Sequence, residues 1–106
     1  MTDLLTCGFQ PREATQKVFA QDVVAVRACD ALLIVLDGRS IDEGAAFELG
    51  LAYALRKLCI GLQTDTRRLA PFGNNPMIEA PLERIFETID DAVSWLQVRF
   101  NADVYV

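Results

Sequence analysis

Short aliphatic runs alternate with stretches of helical spacing along this chain of 106 residues. The clearest strand is Asp30-Ala-Leu-Leu-Ile-Val-Leu-Asp37-Gly38, a continuous aliphatic run bounded by acids and a glycine. That pattern predicts a strand buried on both faces of a parallel sheet. Leu58-Cys-Ile-Gly-Leu62 predicts the next strand and runs out into Gln63-Thr-Asp-Thr-Arg67, while residues 4–9 and 82–86 predict shorter ones. Helical spacing covers residues 13–27 through Val18, Phe19, Val23 and Val26, and residues 90–100 through Ala92, Val93, Trp95, Leu96 and Phe100. A third helix is expected over residues 42–57, with Ser40 as N-cap, Asp42 and Glu43 in the first turn, and Arg56 and Lys57 at the closing end. Residues 68–75 read as a loop, and 101–106 carry no usable pattern. Alternating β and α elements imply one α/β domain over residues 1–106, a doubly wound (Rossmann- or flavodoxin-like) parallel sheet in three layers. Ligands of such sheets collect at the carboxyl ends of the strands, where Asp37, the 40–42 turn and the 64–75 loop fall.

The middle helix contains the residue that most needs an explanation. Its sequence, Asp42-Glu-Gly-Ala-Ala-Phe-Glu48-Leu-Gly-Leu-Ala-Tyr-Ala-Leu-Arg-Lys57, has no real polar face. Glu48 projects between Leu55 and Ala52, above Gly44 and Ala45, and the positions three and four away hold no Lys or Arg. A carboxylate among apolar groups is costly unless something specific requires it. Gly44 and Ala45 leave room for a ligand over it. The plainer readings are a helix less buried than its pattern suggests, with Glu48 in water, or pairing with a distant Arg. Tyr53 reads first as core.

Composition narrows the chemistry. A net charge of −5 argues against nucleic acid and anionic membrane surfaces as partners. No apolar run reaches the length of a membrane span, and Cys7, Cys29 and Cys59 read as reduced thiols of a cytoplasmic protein. Without histidine there is no Ser-His-Asp or Cys-His triad and no ordinary His-based metal site, so neither metal nor cofactor is expected. Acid–base and nucleophilic work then falls to carboxylates. Asp42 and Glu48 lie at the mouth of one helix and about two turns in; Asp22 lies in the preceding helix among apolar residues. Carboxylates sharing a pocket push each other's pKa values apart, so that one holds a proton while another attacks, the logic of retaining glycosyl chemistry. The remaining acids read as caps or solvated groups, and Asp37 as a strand-end residue.

The stretch from Asp30 to Gly38, then Asp42-Glu-Gly-Ala-Ala-Phe-Glu48-Leu-Gly-Leu-Ala-Tyr-Ala, Gly61-Leu-Gln-Thr-Asp65-Thr-Arg67 and Asn75-Pro-Met77-Ile78, resembles the nucleoside 2-deoxyribosyltransferase family. The resemblance implies that Glu48 is a nucleophile attacking C1′ of a 2′-deoxynucleoside. It makes Asp22 a holder of the sugar or base, and Asp42 the group that binds and protonates the nucleobase. Asp37, Gly44, Asn75 and Met77 would belong to the substrate-binding set, with Asn75 reaching a neighbouring subunit's site in a homodimer or larger homo-oligomer. A sister branch hydrolyses deoxynucleoside monophosphates and tends to carry a small hydroxyl residue where this chain has Asp42. Family members open with a strand and a glycine-containing loop of the I-Y-L-A-G-P type, whereas this chain opens at about their second strand. The sheet is then expected to hold fewer strands, unless residues 4–9 take the central position or another subunit covers the gap. A nucleoside-binding oligomer without turnover is the alternative to the enzyme.

Overall fold

A computed structural model of the chain describes residues 11–38, 41–65 and 74–100. The elements run α1 (Pro11–Ala28), β1 (Ala31–Val35), α2 (Glu43–Ala54), β2 (Leu58–Leu62), α3 (Pro76–Glu79), β3 (Arg84–Phe86) and α4 (Ile89–Phe100). The three strands are parallel in the order β1-β2-β3. Ala31 stands opposite Leu58 and Val35 opposite Leu62, and Ile60 to Leu62 pair with Arg84 to Phe86. The α/β reading of the sequence holds. The expected strand at residues 4–9, Cys7, Ser40, Arg67, Arg68 and Tyr105 lie outside the described residues.

Strand alternation divides the core between the two faces of the sheet. Leu32, Ile34, Leu36, Cys59 and Ile85 pack with Val26 of α1 and Leu49, Leu51 and Ala52 of α2. On the other face Leu33, Leu58, Ile60, Leu62 and Phe86 pack with Ala92, Trp95 and Leu96 of α4. Leu49 and Ile60 are fully buried, one on each side, and such burial stabilises by about 1.5–3 kcal/mol per side chain. Gly61 is a packing requirement: an added Cβ would stand 2.9 Å from Leu82 Cδ1 and 3.1 Å from Leu36 Cδ1.

Several expectations change in detail. Among the described residues β1 is an edge strand, and its Val35 is 51% exposed, so the run is not covered on both faces along its whole length. Phe19, counted with the inward positions of α1, is exposed; Ala14 and Val26 are the buried ones. The N-cap of α2 is Asp42, whose Oδ2 accepts from the Ala45 N–H at 2.9 Å. At the other end the helix stops at Ala54. Arg56 N–H donates to the Tyr53 carbonyl and Lys57 N–H to the Ala52 carbonyl, with Arg56 at φ 61°, a Schellman ending that usually uses glycine. Lys57 Nζ instead donates to the Arg27 carbonyl at the end of α1 (2.8 Å). Within the loop region, residues 76–79 form a helical turn capped by Asn75.

Candidate active site

Helices α1 and α2 pack against each other over the first face of the sheet, and a cavity of about 270 Å³ opens between them. Asp22 and Val23 of α1 and Gly44, Glu48 and Leu51 of α2 line it, with Phe19 and Phe47. Glu48 is half-buried, and its carboxyl is pushed above the ordinary value, first by burial and then by repulsion from Asp22 and Asp42. Asp22 and Asp42 therefore both bear on Glu48, Asp22 from the facing wall of the cavity and Asp42 from the start of α2, outside its lining. No ion pair to any of them is formed among the described residues. α2 is also less buried than its composition suggests, since Phe47 is 56% and Tyr53 62% exposed. Glu48 accordingly sits in a cleft, neither sealed in the core nor free in water.

The local folding that places these groups is simple. Asp42 caps α2 through Oδ2, and among the described residues Oδ1 has no donor. Gly44 makes room for that arrangement: an added Cβ would lie 3.2 Å from Asp42 Oδ2. Asp37 stands apart. Its Oδ1 accepts from the Thr64 and Asp65 N–H groups at 2.7 and 3.0 Å, and its Oδ2 from the Thr64 hydroxyl. These bonds, led by the one from Asp65, hold its carboxyl below the ordinary range. Asp37 thus ties the end of β1 to the end of β2, as its strand-end position suggests, and does not line the cavity.

Asn75 and Met77 do not line it either. Asn75 Oδ1 accepts from the Met77 N–H (2.9 Å), and the Met77 side chain is 79% exposed. The segment is held by a reciprocal amide pair, Asn74 Nδ2 to Gln63 Oε1 at 3.2 Å and Gln63 Nε2 to Asn74 Oδ1 at 3.4 Å. Tyr53 faces neither core nor acids; it borders a shallower depression of about 520 Å³ at the amino ends of β2 and β3, with Arg56, Lys57 and Glu83. The cavity residues that sequence reasoning missed are Phe19 and Phe47. Their signal was available: Phe19 is three positions before Asp22, on the same helical face, and Phe47 is the chain neighbour of Glu48.

The fold is a parallel α/β sheet with a half-buried glutamate in a cleft between two helices on one of its faces. The buried Cys59 thiol offers less, because burial and the neighbouring Cys29 push it above its ordinary range. The family model for nucleoside 2-deoxyribosyltransferases matches residues 3–97, and the chain belongs to that family. It is similar in structure to a 2-desoxiribosyltransferase from Leishmania mexicana, with a TM-score of 0.66 and 27% identity over 81% of this chain and 69% of that one. No curated protein sequence matches.

Proposed function

We propose that the chain transfers 2-deoxyribose between nucleobases through a covalent intermediate on Glu48. The observation that carries this reading is Glu48 half-buried in a cleft opposite Asp22, with burial and repulsion from Asp22 and Asp42 all acting on it. A Glu48 oxygen attacks C1′, the C1′–N bond breaks, and its electron pair leaves with the base, which takes a proton at nitrogen. Asp42, one of whose carboxylate oxygens has no donor among the described residues, delivers that proton. Asp22 faces Glu48 from the opposite wall and accepts hydrogen bonds from the sugar or base. An incoming base then attacks C1′, releases Glu48 and loses its proton. Asn75 and Met77, outside this cleft and with Met77 projecting into solvent, serve the site of a neighbouring copy.

The test is incubation with 2′-deoxyinosine and free adenine, with Glu48→Ala run beside the unmodified chain. Deoxyadenosine formed by the first protein and not the second is the expected result. Free hypoxanthine alone would make the chain a hydrolase, and absence of both products would sink the enzyme reading.

A further inference from the structure

Beside the acids, the cavity mouth carries two aromatic rings. Phe19 comes from α1 and Phe47 from α2, their centroids are 5.9 Å apart and their planes tilted by 54°. Both line the cavity, yet they are 57% and 56% exposed. An apolar pair left in water at a site's mouth is not explained by the core it fails to join.

Cavity size supplies the second half of the argument. Pockets that enclose a whole drug-sized ligand run from roughly 300 to 1,000 Å³. At about 270 Å³ this cleft lies just below that range, the size for a ligand smaller than a drug, and the two exposed rings form part of its wall. The reacting C1′ has to meet Glu48, which puts the sugar inside. The base then emerges past the two walls, where the rings stand. We infer that Phe19 and Phe47 form a stacking subsite for the nucleobase, one ring offering its face and the other its edge. This inference rests on the reading of the cleft as a deoxynucleoside site.

Kinetics with 2′-deoxyinosine as donor and adenine as acceptor test it in Phe19→Leu, Phe47→Leu and Phe47→Tyr, with the distant, exposed Val98→Ala as control. Leucine keeps the apolar character and removes the π-face. Base–aromatic stacking of ordinary strength predicts a KM for deoxyinosine raised about tenfold in the leucine variants, with a smaller change in kcat. Hypoxanthine should weaken in parallel as a product inhibitor, and Phe47→Tyr should restore both values. An unchanged KM in both leucine variants overturns the inference. So does an oligomer that dissociates in Phe47→Leu while the assembled fraction keeps its KM, since the rings would then cover a second copy. Failure of the unmodified chain to bind deoxyinosine at all is a separate result, and it removes the deoxynucleoside reading itself.

Discussion

On the α4 side of the sheet, Phe86 meets Trp95 at 5.6 Å and Arg99 lies over the Trp95 ring while its Nη1 bonds Glu83 at 3.1 Å. Charged groups there pair with one another and lie over ring faces. On the α1–α2 side, three carboxylates gather without a cation among the described residues, while two phenylalanines stay in water. One face pairs its charges, and the other sets like charges beside exposed rings around one cleft. Sequences that break local rules of pairing and burial do so at functional sites, at a cost the rest of the fold offsets. Both faces carry core, the proposed chemistry lies on the α1–α2 face, and turnover and stability can be broken separately.

The largest expected effect is on turnover. Glu48→Gln keeps the size of the side chain and removes the charge. It should lower the deoxyribosyl transfer rate by about 10⁴-fold or more, as loss of a nucleophile does elsewhere. Circular dichroism should show the fold intact. A variant that keeps a tenth of the activity would remove Glu48 from the reaction and leave its repulsive setting unexplained.

The opposite face should respond the other way. Trp95→Ala removes the ring shared by Phe86 and Arg99, and should cost about 3 kcal/mol in denaturant unfolding. That is the low end for such truncations, because Trp95 is only half-buried. Below the transition the surviving folded protein should keep its KM. A changed KM would show that the two faces are coupled.

The strands and helices were legible because their signals are local. The aliphatic runs marked β1 and β2, and helical spacing marked α1, α2 and α4, to within a few residues. That Asp22 and Asp42 bear on Glu48 was legible because acids were the groups to look for in a chain without histidine. Other features depend on tertiary placement, which spacing does not encode. Asp37 looked like part of a ligand edge, but its oxygens are occupied by Thr64 and Asp65, distant in sequence and brought near by β1–β2 pairing. Phe19 carried the right spacing for the core and ended outside it, because α1 lies on α2 and the cleft between them opens where that ring falls. The cap of α2 is Asp42, two positions beyond the hydroxyl that spacing favoured.

Two glycines of α2 sharpen the division within a single helix. An added Cβ at Gly50 meets nothing within 4 Å, so Gly50→Ala should raise the unfolding free energy by about 0.5–1 kcal/mol through helix propensity, with turnover unchanged. The same change at Gly44 presses on the Asp42 carboxylate. Gly44→Ala should gain less stability than Gly50→Ala and lose transfer activity, because the cap and the acid are one group. Equal gains with equal activity would show that Asp42 can shift freely and that its placement carries no catalytic weight.

The smallest effect follows from the sign of the Glu48 shift. Burial and two like charges raise its folded-state pKa above the ordinary 4.5, so the native chain holds that proton more tightly than the unfolded chain does. Its contribution to stability is present below the unfolded value and lost as pH rises through the folded one. At neutral pH the ionised group is therefore a net burden. Glu48→Gln should stabilise the fold there by roughly 0.2–0.5 kcal/mol, the scale of one like-charge contact relieved, and by nothing near pH 4. Asp37 runs oppositely. Its lowered pKa means that its support is present above the ordinary 3.8 and lost as pH falls through the folded value, so the destabilisation caused by Asp37→Asn should shrink in acid. Melting curves of the two variants against pH should therefore separate, the difference from the parent chain growing with pH in both and carrying opposite signs. A Glu48→Gln protein that is less stable at neutral pH would make the glutamate a structural residue. The face assigned to chemistry would then be serving the fold.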